Sequence, residues 1–246
     1  MTDKIFEKTN KQNIALMKND GNFKKLTKSW FKISEKYQYS YHFSWMSRPI
    51  IQYPQDIMAL QEIIWKVQPE LIIETGIARG GSLIFSASIL QLIGKGKVIG
   101  IDIDIRKHNR IEIEKHPMFK RIKMIEGSSI DEKVVKKVYE LVKNKKRILV
   151  ILDSNHSHEH VLKEMELYSP LVKKNSYLIV FDTIIEDISI PSQSSDQKRP
   201  WGKGNNPKTA VKHFLKNNSR FVNDKEIENK LMISVAPCGY LKCIKN

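Results

Sequence analysis

Cysteine is nearly absent from this sequence. Cys238 and Cys243 are the only two among 246 residues, and with no second pair they argue against a disulfide framework or a structural zinc site. No apolar run approaches the length needed to cross a bilayer. The opening residues, Met1 to Lys8, carry no apolar signal segment. A cytoplasmic enzyme with no membrane span is therefore expected. Carboxylates are scarce beside basic groups, 27 against 42, for a net charge of +15. Such a balance can serve nucleic acid, an anionic membrane or a phosphate-bearing substrate. The lysines are nevertheless scattered through Lys24-Lys25, Lys136-Lys137, Lys143 to Arg147 and Lys173-Lys174. No arginine-rich arm or aromatic RNA-binding signature accompanies them, so no nucleic-acid partner is expected. Hydrophobic content of 41% and charged content of 28% are those of a globular protein with ample core.

The most informative stretch is Glu70 to Ser82. Leu71-Ile72-Ile73 reads as a buried strand, Glu74-Thr75-Gly76 as a tight turn, and Gly80-Gly81-Ser82 as the opening of a helix to about Ile93. Gly76 permits a sharp turn and close ligand approach, and Ser82 is the expected N-cap. The loop has neither the G-x-G-x-x-G of dinucleotide binders nor the G-x-x-x-x-G-K-[ST] of phosphate loops. It places the carboxylate of Glu74 at the strand end instead. That charge repels a pyrophosphate and suits a cationic ligand such as S-adenosylmethionine, with its sulfonium and ammonium.

From there strands and helices alternate. Lys97–Asp104, Arg121–Gly127, Arg147–Asp153 and Ser176–Asp182 read as strands, separated by helical segments near 106–115, 131–143 and 158–172. The pattern predicts a parallel sheet covered on both faces. Upstream, Pro54–Val67 shows a helical face, and residues 1–50 form an extension dense in aromatics between Trp30 and Met46. Those aromatics are expected to pack the extension onto the domain of residues 51–246, and can also wall a substrate pocket. The polar loop at 184–206 ends in a helix start at Pro207 and is long enough to be functional. Two apolar runs, Lys230–Ala236 and Tyr240–Lys245, flank Pro237-Cys238-Gly239 and predict an antiparallel C-terminal hairpin. Together these elements predict a Rossmann-like α/β fold of the class I methyltransferase type, a mostly parallel seven-stranded sheet.

In open α/β sheets ligands bind beyond the carboxyl ends of the strands. There the sequence sets Glu74, Asp102 and Asp104, Ser128 and Ser129, Asp153 and Asp182. Asp102 has the register to take both ribose hydroxyls, while Asp104 reads as a loop or cap carboxylate. Ser128 or Ser129 could meet an adenine edge or cap the next helix. Asp153 and Asp182 suit a hard divalent cation such as Mg²⁺. His156, three residues after Asp153, is placed to take a proton from an acceptor hydroxyl. The run His156-Ser157-His158-Glu159-His160 does not match H-E-x-x-H, and His158 and His160 read as solvated or supporting residues.

Ile73-Glu74-Thr75-Gly76 with Gly80-Gly81-Ser82, the strand end Gly100-Ile101-Asp102, Leu152-Asp153-Ser154-Asn155-His156-Ser157 and Phe181-Asp182-Thr183 together resemble the cephalosporin hydroxylase / rhamnosyl O-methyltransferase family over about residues 40–245. The resemblance implies an S-adenosylmethionine-dependent O-methyltransferase acting on a sugar or glycan hydroxyl. The acceptor would be free, lipid-borne or nucleotide-linked. It also implies a Mg²⁺ site with Asp153 as first ligand and His156 as base, and makes a homo-oligomer plausible. Relatives carry Glu-Asp at the fifth strand's end where this chain has Phe181-Asp182. Thr183, Glu186 or water could fill the missing place. Arg199, Lys203 and Lys208, in or beside the long loop, would suit a phosphorylated or nucleotide-bearing acceptor. Other readings are a catalytically silent subunit that keeps the cofactor pocket, an RNA methyltransferase, or an iron-dependent hydroxylase.

Overall fold

A computed structural model describes residues 2–188 and 199–246. Its centre is a seven-stranded sheet. The strands are β1 (Leu71–Thr75), β2 (Lys97–Asp102), β3 (Ile122–Glu126), β4 (Ile148–Leu152), β5 (Tyr177–Val180), β6 (Phe221–Asn223) and β7 (Tyr240–Cys243). They lie in the order β3-β2-β1-β4-β5-β7-β6. The first five are parallel, and β7 runs antiparallel to both β5 and β6.

The parallel strands read as continuous apolar runs because both faces of the sheet are covered, and alternate residues feed two cores. Ile72, Leu149, Ile151 and Ile179 join a core built with α3 (Pro54–Val67) and α4 (Gly81–Ile93), which Ile113 of α5 (Lys107–Lys115) also enters. Leu71, Ile73, Val150, Leu152 and Leu178 face α6 (Glu132–Val142), α7 (His158–Tyr168) and α8 (Pro207–Asn217). The order reverses between β1 and β4. Their ends flank the crevice where an open α/β sheet takes its ligand.

Three local expectations change. Ser82 does not cap α4: Gly80 does, at φ +84°, in a left-handed conformation that glycine adopts without steric cost. Asp131, rather than Ser128 or Ser129, caps α6 by accepting from the Lys133 and Val134 amides at 2.9 and 3.3 Å. The C-terminal strands are antiparallel as expected, but the run 230–236 is not a strand. Asp224 caps a helix, α9 (Lys225–Leu231), and β6 takes the place beside β7. The residues after α9 are held by Asp56, buried in α3, which accepts from Ser234 Oγ at 2.6 Å, the Val235 amide at 2.9 Å and Tyr240 Oη at 2.6 Å.

The extension opens with α1 (Asp3–Asn19) and α2 (Gly21–Lys36), followed by a helical turn at Tyr39–His42 and a two-stranded ribbon. Its aromatics do pack it onto the domain. Phe31 stacks on Tyr53 with ring centroids 4.8 Å apart, and Trp45 meets Phe85 edge-on at 4.9 Å while its Nε1 donates to Ser88.

Candidate active site

A cleft of about 1330 Å³ opens over the carboxyl ends of the parallel strands, more than the few hundred Å³ that hold one drug-sized ligand. Each of those strands delivers residues to its wall. Gly76 and Ala78 follow β1, Asp102 ends β2, Ser128 and Ser129 follow β3, Asp153 follows β4 and Asp182 follows β5.

The glycine loop is shaped by its neighbours as much as by any ligand. Gly76 has φ +87°, and a Cβ there would lie 2.0 Å from the carbonyl oxygen of Asp153. The loop and the end of β4 are thus in backbone contact. Asp102 ties the loop from the other side, its Oδ2 accepting from the amides of Ile77 at 2.7 Å and Ala78 at 3.3 Å. Glu74 shares the pleat face of Ile72, toward α4, and does not line the cleft. It is 2% exposed, one carboxylate oxygen accepts the hydroxyl of Ser82, and the other has no partner. Burial pushes its pKa up to about 7, with the Ser82 bond opposing.

At the β4 and β5 ends, ligand-type atoms of Asp153, His156 and Asp182 lie within 4.8 Å of one another. His156 Nε2 is 3.2 Å from Asp182 Oδ2, and Trp201 meets the His156 ring edge-on at 5.1 Å. Asp182 sits at φ +56°, a left-handed conformation uncommon for a residue with a side chain, and lies on the cleft wall. Asp153 Oδ2 accepts from Gln52 Nε2 at 3.1 Å. Burial, followed by the negative charges of Asp182 and Glu74, holds the Asp153 pKa well above the usual carboxylate range. Carboxylates this close at the half-buried strand ends favour a bound cation.

The family described as rhamnosyl O-methyltransferase/CmcI matches residues 37–244. This chain belongs to that family. Its sequence is 33% identical over 193 residues to the rhamnosyl O-methyltransferase of Mycobacterium tuberculosis, an alignment spanning 76% of this chain and 72% of the relative. The Mycobacterium leprae rhamnosyl O-methyltransferase is 33% identical over 143 residues, 57% of this chain and 60% of that protein. Among solved structures, apo CmcI superposes with a TM-score of 0.59 at 17% identity, covering 84% of this chain and 78% of CmcI. A CmcI structure with Mg and SAM gives 0.58 at 17% identity over 83% and 77%. These likenesses show the fold. Membership gives the enzyme class, an S-adenosylmethionine-dependent O-methyltransferase.

Within this O-methyltransferase the other expected ligands lie elsewhere. Thr183 is fully buried, and its hydroxyl donates to the Pro237 carbonyl at 2.7 Å. Glu186 accepts from the Gly204 amide and the Asn206 side chain, which lowers its pKa and pins the loop rather than a metal. Phe181, where the family resemblance implied a carboxylate, is 3% exposed and packs edge-on against Tyr240 at 6.4 Å. Lys208 pairs with Asp187, and among the described residues of the loop Arg199 and Lys203 are the cations on the cleft wall. Asp104 is exposed beside Arg106, as a loop carboxylate should be.

Of the polar loop, residues 189–198 lie outside the described residues. Its final part is a built structure. Gly202 bridges Asn205, Asn205 Oδ1 accepts the His158 amide at 2.8 Å, and fully buried Asn206 caps α8 in a reciprocal box with Thr209.

Two groups escaped the sequence. Gln52 is 5% exposed beside Asp153, and its Oε1 has no partner. Fully buried Glu164 accepts from the hydroxyls of Ser129 and Ser154, with His160 Nε2 3.5 Å away on the cleft wall. A carboxylate within the apolar row Val161, Met165, Tyr168 was the available signal for Glu164. Gln52 offered none.

Proposed function

We propose that this enzyme methylates a hydroxyl of a sugar, carried on a glycan, a lipid or a nucleotide, in the cytoplasm. The single observation behind the proposal is the convergence of Asp153, His156 and Asp182 within 4.8 Å on the wall of a cleft that also reaches the glycine loop and Asp102. The names of the mycobacterial relatives support the sugar class. Arg199 and Lys203 on the cleft wall favour an acceptor that carries phosphate.

S-adenosylmethionine supplies an electrophilic methyl group on a positively charged sulfur. Gly76 and Ala78 on the cleft wall leave the loop backbone open to close approach by the cofactor, and Asp102, tied to that loop, is placed for the ribose hydroxyls. The donor set Asp153 and Asp182, both oxygen ligands in an acid-rich corner, fits a hard divalent cation. When bound, such an ion supplies positive charge that favours the ionised form of a nearby hydroxyl. His156 takes the acceptor proton. The Asp182 carboxylate, 3.2 Å from its ring, and Trp201, edge-on to it, hold the ring in position. Much of the rate enhancement comes from holding the acceptor oxygen in line with the methyl group.

Calorimetric titration with S-adenosylhomocysteine, with and without Mg²⁺, tests the reading. His156→Ala should keep that binding and lose about 10²–10⁴-fold in kcat, the size of a general-base contribution. Absence of binding in wild type would refute the proposal. The closeness of His156 to Asp182 also favours a second arrangement, in which His156 is a third ligand. His156→Ala would then weaken Mg²⁺ affinity as well as turnover, whereas a base alone leaves metal affinity unchanged.

A further inference from the structure

Helix α2 is built as an amphipathic helix, yet only part of its apolar face is used. Thr27, Phe31 and Ser34 are buried against the domain. Beside them Phe23, Leu26, Trp30, Ile33 and Tyr37 follow at helical intervals of three and four and fall within an arc of about 80°. All five are exposed, with Leu26 at 67%, Ile33 at 55% and Tyr37 at 70%. Lys24, Lys25, Lys28, Lys32 and Lys36 occupy the opposite arc. Helix α1 adds exposed Ile5, Phe6 and Leu16, and buries none of its own residues. Across residues 3–36 nine lysines stand against four carboxylates.

We infer that α2 is a docking helix for an anionic membrane surface. Large apolar and aromatic side chains on one arc, lysines on the other and low overall hydrophobicity are the composition of a helix that lies in the plane of an interface. Lys36 and Lys25, the lysines nearest the edge of that stripe, can extend their ammonium groups to anionic headgroups while their stems cover apolar surface. A second copy of this chain is a poorer occupant, because its own extension is as basic and offers the nine lysines no complementary charge. The helix also borders the site. Phe31, Glu35 and Gln38 and, in the turn that follows, Ser40 and Tyr41 line the cleft. Docking through α2 sets the cleft mouth at the bilayer, where a sugar borne on a lipid can enter. That choice of acceptor rests on the function proposed above; the docking itself does not.

Sedimentation of the full chain with vesicles tests the inference. Vesicles of equimolar phosphatidylglycerol and phosphatidylcholine should bind it, vesicles of phosphatidylcholine alone should bind it far less, and salt should weaken the binding. The combined variant Leu26→Ser, Ile33→Ser and Tyr37→Ser should lower partitioning by about tenfold or more. Its melting temperature and its affinity for S-adenosylhomocysteine should stay at wild-type values, because none of the three side chains is in the core or the cleft. Equal sedimentation of variant and wild type, or no binding to anionic vesicles, overturns the inference. A wild-type dimer that the variant abolishes, with no vesicle binding, would assign the stripe to a second copy and overturn it too. Failure of wild type to bind S-adenosylhomocysteine would count against the methyltransferase reading and leave the docking result standing.

Discussion

Replacing Gly76 by alanine separates two reasons for a glycine in the loop after β1. The first is conformational: at φ +87° an L side chain costs about 1–2 kcal/mol. The second is steric. The added Cβ would lie 2.0 Å from the Asp153 carbonyl oxygen, 2.6 Å from its carbon and 3.1 Å from Ser154 Cα. All three are backbone atoms, so no rotamer change relieves the overlap. The ends of β1 and β4 must part, straining the 2.9 Å bond from the Asp153 amide to the Thr75 carbonyl. Overpacking of this kind adds about 1–3 kcal/mol. Gly94, at the end of α4, is a matched control, with φ +86° and nothing within 4 Å of its Cβ position. Gly94→Ala therefore incurs the conformational cost alone. At about 2–4 °C per kcal/mol for a chain of this size, Gly76→Ala should melt roughly 2–12 °C below Gly94→Ala in calorimetry. It should also lose S-adenosylhomocysteine binding, which Gly94→Ala keeps. Equal melting temperatures would refute the steric account.

Glu74→Gln should flatten the pH dependence of stability in the ligand-free protein. Burial raises this carboxyl from 4.5 to about 7, so the folded state holds its proton more tightly and stability falls as pH rises through that window. The variant should gain up to about 3 kcal/mol on wild type at pH 8 relative to pH 4; urea titrations with an unchanged pH slope would contradict this. Asn206→Ala removes a buried cap and its bond to Glu186. It should cost about 1–2 kcal/mol and speed proteolysis within 199–206, a loop that stays protected only if other contacts hold it.

The parallel half of the fold was legible because strands buried on both faces leave an unmistakable apolar run, as in Ile148–Leu152. Asp102, Asp153 and Asp182 were legible for a related reason: a carboxylate that closes such a run lies at the strand's carboxyl end. The errors arose where a residue's partner is remote in sequence. Lys230–Ala236 looks like a strand, but Asp224 starts a helix before it and Asp56 holds the residues after it. Ser82 looks like a cap until Glu74 claims its hydroxyl. Gln52 comes to Asp153 from a segment about a hundred positions earlier, and no local pattern announces it.

The strand order bears on how the molecule is assembled during synthesis. β7 is the last of the seven strands to leave the ribosome, and its place is interior, between β5 and β6. Until it arrives, β5 has one unsatisfied edge and β6 has no partner in the sheet. Asp56, made early, likewise waits for Ser234, Val235 and Tyr240. A nascent chain halted before residue 234 therefore holds an unpaired carboxylate in its core and an open strand edge in its sheet. Such intermediates are prone to strand addition from other molecules. The sheet is therefore closed only once β7 is made.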